Sequence, residues 1–146
     1  MWNSTSPTTS VFSVGTDGNV NTSAATYVAY CFAPVAGYSA FGSYTGNAST
    51  DGPFVYLGFR PRFILVKRTD STGSWHMLDT SRSTYNVMMN ELYAESSSAE
   101  VATSADFDFL SNGFKLRVTA IQLNASGGTY VYACFAENPF KYANAR

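Results

Sequence analysis

A stretch of 14 residues occurs twice in this chain. Val20-Asn-Thr-Ser-Ala-Ala-Thr-Tyr-Val-Ala-Tyr-Cys-Phe-Ala33 recurs as Leu123-Asn-Ala-Ser-Gly-Gly-Thr-Tyr-Val-Tyr-Ala-Cys-Phe-Ala136, with eight of the 14 aligned positions identical. The register runs on upstream without a gap, so that Val11-Phe-Ser-Val falls on Phe114-Lys-Leu-Arg. Repetition of this kind constrains the fold more than any local propensity, and the chain reads as the last third of one repeat unit followed by a complete unit of about a hundred residues. Within a single β-sandwich domain spanning 1–146, residues 1–36 resemble the end of a preceding unit and 37–146 form a whole one. Such a plan points to a modular structural or adhesive protein.

The length, 146 residues, is that of one ordinary domain able to bury a core. Charged residues make up only 13% and aromatics 16%, and β-branched and aromatic residues with frequent Gly and Asn describe an all-β chain of many short strands. The expected fold is an antiparallel β-sandwich, jelly-roll-like, of about eight to ten strands. A net charge of -1 excludes the basic footprint of a nucleic-acid binder. No apolar run reaches the length of a membrane span, and Met1-Trp-Asn-Ser-Thr-Ser-Pro7 carries no signal-peptide pattern. Sparse charge implies surface covered by other subunits, hence a homo-oligomer, a trimer in the case of a fibre.

In the repeated strands, side chains alternate faces. Tyr27, Ala29, Cys31 and Ala33 share one face in the first copy, as do Tyr130, Tyr132, Cys134 and Ala136 in the second. Ala29/Tyr30 in one copy is exchanged for Tyr132/Ala133 in the other, the volume complementarity expected of strands packed together. Both copies are therefore expected as strands in equivalent or neighbouring places of one sandwich, with Phe32 and Phe135 buried. Cys31 and Cys134 read as buried free thiols. Phe63-Ile-Leu-Val66 is the candidate central strand, and Asp70-Ser-Thr-Gly-Ser74 is turn chemistry joining it to Trp75-His-Met-Leu78. Residues 85–102 read as a short helix or a covering loop. Asp106-Phe-Asp-Phe-Leu110 alternates, with Phe107 and Phe109 inward and Asp106 and Asp108 solvated, and Ser111-Asn-Gly113 supplies a hairpin turn before Phe114.

Catalytic constellations are nearly absent. The single His, His76, has no Ser in a nucleophile-elbow context, and a lone strand His is usually a packing residue. No cysteine has a second ligand at metal spacing. Neither an enzymatic reaction nor a cofactor or metal is expected. The sequons at Asn3, Asn21, Asn47 and Asn124 follow from composition.

The strings Thr26-Tyr-Val-Ala-Tyr-Cys-Phe-Ala33, Gly37-Tyr-Ser-Ala-Phe-Gly-Ser-Tyr-Thr-Gly-Asn47, Gly52-Pro-Phe-Val-Tyr-Leu-Gly-Phe-Arg-Pro61 and Trp75-His-Met-Leu-Asp-Thr-Ser-Arg82 are similar to a β-rich module of bacteriophage tail-fibre and related virion proteins. Val66-Lys-Arg-Thr-Asp70, Asp108-Phe-Leu-Ser-Asn-Gly-Phe-Lys-Leu-Arg117 and Gly128-Thr-Tyr-Val-Tyr-Ala-Cys-Phe-Ala-Glu-Asn-Pro-Phe140 extend the resemblance over nearly the whole chain. It implies a virion structural protein, at a tail-fibre tip, an appendage or a capsid decoration. Such a protein would be assembled in the host cytoplasm, lie beside other virion proteins and contact the host surface. A secreted or cell-attached carbohydrate-binding module is the alternative. In either case Trp75, with Tyr85 and Tyr93, would offer ring faces to a host-surface glycan. His76, Asp79 and Arg82, with Asn86, would supply polar partners. The bland alternative places Trp75 in the core and makes Asp79–Arg82 a local ion pair.

Overall fold

The computed structural model describes residues 3–139, leaving aside the side chains of 103–105. The chain divides into two compact units, Met1–Phe32 and Ala33–Arg146. The smaller unit holds α1 (Gly18–Asn21). The larger holds β1 (Ser39–Thr45), β2 (Phe54–Tyr56), β3 (Pro61–Arg68), β4 (Trp75–Asp79), β5 (Met88–Tyr93), β6 (Val101–Leu110), β7 (Gly113–Leu116), α2 (Ile121–Asn124) and β8 (Thr129–Ala136). The fold is all-β and antiparallel.

The eight strands form one sheet in the order β1-β8-β3-β4-β5-β6-β7-β2. Five consecutive strands, β3 to β7, make a meander, and β8 inserts between β3 and β1. Phe63-Ile-Leu-Val66 is central as expected, pairing with β8 on one side and β4 on the other. Strand β5 is shared between two directions of the sheet. Its end pairs with β4 (His76↔Tyr93, Met77↔Leu92), while its start pairs with β6 (Met88↔Phe107) across a register shift. Irregularities of this kind bend a sheet. The far strands come to face each other: Phe114 of β7 stands edge-on to Tyr44 of β1 at 6.0 Å and to Tyr132 of β8 at 5.5 Å. Ile64, Val66, Leu78, Met88, Phe107, Phe114, Leu116, Tyr130 and Cys134 fill the space between them without solvent exposure.

The β3–β4 hairpin forms where the turn residues place it, with Lys67 opposite Trp75. The β6–β7 hairpin turns on Ser111 and Asn112, and Gly113 already pairs with Leu110. A Cβ on Gly113 would collide with the Val55 carbonyl oxygen of the neighbouring β2, so glycine here admits the edge strand. Residues 85–102 are not helical: they contain β5. The register shift puts its buried residues Met88 and Glu91 three positions apart, a spacing that imitates a helix.

In the smaller unit the first repeat copy departs from expectation. Among the described residues, no strand ladder includes any of 26–33. Val28 is 79% exposed, Tyr30 83% and Phe32 64%, and Cys31 is exposed where Cys134 is buried. Phe135 is only half-buried, because it lies on the outer face of β8 against Tyr38, Phe41 and Phe63. The two copies are therefore not neighbouring strands of one sandwich. The volume partner of Tyr132 is Gly42, directly opposite on β1, where a Cβ would fall 2.6 Å from the Tyr132 hydroxyl.

What the copies do share is a hydrogen-bonded corner. In the larger unit the buried Tyr130 hydroxyl accepts from Ala125 N–H at 2.7 Å and donates to Ile121 C=O at 2.7 Å. In the smaller unit the Tyr27 hydroxyl accepts from Thr22 N–H at 2.8 Å and donates to Gly18 C=O at 3.0 Å. Asn124 Nδ2 reaches Val118 C=O at 2.8 Å, and Asn21 Nδ2 reaches Gly15 C=O at 2.9 Å. Each α-turn is followed by a left-handed residue, Gly127 at φ 72° and Ala24 at φ 63°. Every one of these atoms has its counterpart 103 positions away (Tyr27 and Tyr130, Asn21 and Asn124).

Candidate functional site

Strand β4 sends successive side chains to opposite faces, and this separates the residues singled out from the sequence. Trp75, Met77 and Asp79 take one face, His76 and Leu78 the other, buried one. Trp75 opens the strand and is 40% exposed, so it is not core. Its N–H donates to Glu95 Oε2 at 3.0 Å. Asp79 closes the strand and organises the corner beyond it. Its Oδ1 accepts from the N–H groups of Ser81 at 2.8 Å and Arg82 at 3.0 Å, and its Oδ2 lies 2.6 Å from Arg82 Nη2. The structure thus brings Asp79 and Arg82 together as a local ion pair, leaves Trp75 at the other end of the strand, and turns His76 away from all three. Tyr85 is well exposed. Asn86 is engaged with Phe109, whose N–H it accepts at 2.9 Å and whose carbonyl it bonds at 3.0 Å.

The inward side chain, His76, belongs to a different constellation. Its Nδ1 lies 2.7 Å from Glu91 Oε2, and Glu91 Oε1 accepts from the Tyr93 hydroxyl at 2.7 Å. The Tyr93 ring stands edge-on to the imidazole with centroids 5.2 Å apart. Strands β4 and β5 create this arrangement by pairing His76 directly with Tyr93, while Glu91 sits inward because of the register shift earlier in β5. Both His76 and Glu91 are buried. The hydrogen bond to Glu91 comes first in raising the Tyr93 phenol to about 12, with burial and the charges of Glu91, Asp106 and Glu95 adding to it.

These residues line a cleft of about 400 Å³ together with Asp106, Ser74, Gln122 and the apolar Val118 and Leu123. Asp106 is buried there rather than solvated; Asp108, its expected companion, pairs with Arg117 at 3.2 Å. With Nδ1 bound to the carboxylate, His76 presents Nε2, a buried atom with no hydrogen-bond partner among the described residues. A carboxylate fixing one ring nitrogen determines the role left to the other. The neutral ring offers an acceptor at Nε2, the protonated ring a donor. Among the described residues no group of three His, Cys, Asp or Glu is arranged to hold a metal ion. The cleft is suited to a small polar ligand or ordered water.

Glu91, Tyr93 as a partner of His76, and Asp106 as a buried group were missed as a set from the sequence. The available signal was a charged residue inside the apolar run Met88-Met-Asn-Glu-Leu92, since a carboxylate is buried only with partners. Asn124 was counted as a sequon but is fully buried. Its Nδ2 bonds the carbonyls of Val118 and Ser49, both at 2.8 Å, and its Oδ1 accepts from Asn47 N–H at 2.8 Å. It is a packing centre that ties α2 to the loop after β1.

No curated protein and no solved structure is similar to this chain. Residues 1–139 match one family over nearly the full length, and the chain belongs to it: a domain of unknown function (DUF7483).

Proposed function

We propose that this chain is a structural module of a bacteriophage virion, at a tail-fibre tip, an appendage or a capsid decoration, where it packs with copies of itself and other virion proteins and contacts the host surface. The repeated tyrosine corner is the observation that carries this reading. Two units of one chain build the same α-turn, left-handed residue and pair of tyrosine hydroxyl bonds, exposed in the smaller unit and buried or part-buried in the larger, as expected of a polypeptide made by serial repetition. Exposed apolar residues in 26–33 and the aromatic outer face around Phe135 give such a module surfaces for assembly. The test is mass spectrometry of purified particles from the phage whose DNA encodes the chain, with an antibody against the chain added to an adsorption assay. The protein is expected in the particles at a fixed stoichiometry, with adsorption reduced by the antibody. Its absence from intact particles overturns the reading.

A second reading, a carbohydrate-binding module, is favoured by the cleft. His76 Nε2 offers a polar contact to a sugar hydroxyl inside a cleft that Glu91 and Asp106 also line, with Val118 and Leu123 against an apolar ring face. Glycan-array binding by the isolated chain that is lost in His76→Gln but kept in Trp75→Ala supports the cleft. The opposite pattern supports the outer face of β4.

A further inference from the structure

We propose that residues 26–33 are a donated β-strand, which completes the sheet of another unit of this family by entering between strands equivalent to β1 and β3. The inference rests on the repeat-built reading and names the partner that this reading requires.

In the larger unit β8 is an interior strand. It is paired along its length with β1 on one side, from Ser39↔Phe135 to Thr45↔Thr129, and with β3 on the other, from Pro61↔Ala136 to Arg68↔Tyr130. Its core-facing residues are Tyr130, Tyr132, Cys134 and Ala136, of which all but Tyr132 are buried. Residues 26–33 carry Tyr27, Cys31 and Ala33 at the matching positions. The segment is set up for the same environment before it has one. The Tyr27 hydroxyl already makes both corner bonds that fix Tyr130, so the strand leaves the α-turn with the same start. Its outward residues, Val28, Tyr30 and Phe32, are matched to Val131, Ala133 and Phe135, and the exposure of Val28 and Tyr30 leaves apolar area for an acceptor to cover.

The chemistry of the acceptor follows from what β8 meets. Main-chain pairing on both sides supplies affinity, and pockets for alternate side chains supply register. The larger unit of a second copy cannot serve, since its slot is occupied by its own covalently linked β8. The acceptor is therefore the first two-thirds of a unit, from its β1 to its β6, with the last third still to be supplied. One position distinguishes it from the unit seen here. Ala29 stands where Tyr132 needs Gly42 opposite, so the acceptor has no need of glycine at that place.

The test is a tandem chain in which residues 34–113 are placed directly ahead of Val11, so that a full unit precedes the existing one. Cys31 reports the outcome, because it is exposed in the 146-residue chain while its counterpart Cys134 is buried. In the tandem chain a thiol reagent under native conditions is expected to modify Cys31 at least a hundredfold more slowly than in the 146-residue chain. Tyr27→Asp in the tandem chain, which puts a charge on the core-facing side, is expected to restore fast labelling. Cys31 labelling at its original rate in the tandem chain overturns the proposal, whether the added unit is open or unfolded. Slow labelling that persists in Tyr27→Asp overturns it too, since protection then has another source. Neither result depends on whether the protein is found in virions.

Discussion

The pair Cys31 and Cys134 shows how little a residue's identity says without its surroundings. They occupy the same place in two copies of one sequence, yet one is exposed and the other fully buried, and burial pushes the Cys134 thiol well above its ordinary value. The thiolate is the reactive form, so one thiol per native chain should react promptly with a disulfide reagent and the second only after denaturant is added. Two prompt thiols would contradict the burial of Cys134. The His76–Glu91–Tyr93 chain supplies a second prediction. Tyr93→Phe removes the hydroxyl bonded to Glu91 and should cost about 1 kcal/mol. It should also change the response to alkali. The Tyr93 phenol is raised from 10.0 to about 12 by its bond to Glu91 and by burial. Between those values the unfolded chain has lost the proton and the folded chain keeps it, so this contribution is complete below pH 10 and lost as pH rises toward 12. Thermal melting from pH 9 to 12 should therefore fall less steeply in Tyr93→Phe than in the parent, and parallel curves would show that Tyr93 is not the group involved. Phe107 and Phe135 differ in the same way as the cysteines. Phe107→Ala empties a fully buried site and should cost about 3–5 kcal/mol, whereas half-buried Phe135 should cost less than half as much in the same denaturant titration.

At the level of elements, the strands that were legible in the sequence are those with regular alternation. Phe63-Ile-Leu-Val66 and Phe107/Phe109 point where period two puts them, and two hairpins turn at their Gly-, Ser- and Asn-rich segments. β5 was not legible, because a shifted register places its inward residues three apart. α2 was not legible either: four residues carry no periodicity, and the turn is held by Asn124 and by the Tyr130 hydroxyl rather than by helix propensity. The candidate site was half legible. His76 stood out as the single His, but its partners Glu91 and Tyr93 come from β5, so only pairing across strands reveals them. The corner predicts an asymmetry between equivalent mutations. Tyr130→Phe strips the Ala125 N–H and the Ile121 C=O of their partner in a buried setting and should destabilise the larger unit by about 2–3 kcal/mol. Tyr27→Phe removes the same two bonds at an exposed corner, where water replaces them, and should leave the main melting transition within about 0.5 kcal/mol of the parent. Equal losses would mean that the two corners are equally buried in solution.

For the whole molecule, the exposed apolar surface falls into distinct places with distinct consequences. Residues 26–33 carry apolar side chains on both faces, which suits the interior of a sheet. The outer face of β1, β8 and β3 presents something else: Tyr38, Phe41, Phe63 and Phe135 pack edge-on or tilted at 5.9–6.2 Å around the Phe135 ring, half in contact with solvent. A cluster of that kind on the outside of a sheet, in a chain with only 13% charged residues, is where the proposed assembly of copies would place its contact. If copies meet there, the contact is between identical patches or between this patch and another, and closed symmetry limits the number of copies. The expected result in light scattering is a defined oligomer, a trimer for a fibre tip, whose mass does not change on tenfold dilution from about 100 μM. Phe63→Glu places a charge at the rim of the cluster, on a side chain that points away from the core. It should yield a monomer with a Tm close to that of the parent chain at low concentration. A parent chain that is a monodisperse monomer at the higher concentration would remove the oligomer, and a Phe63→Glu variant that keeps the parent's mass would place the interface elsewhere on the surface.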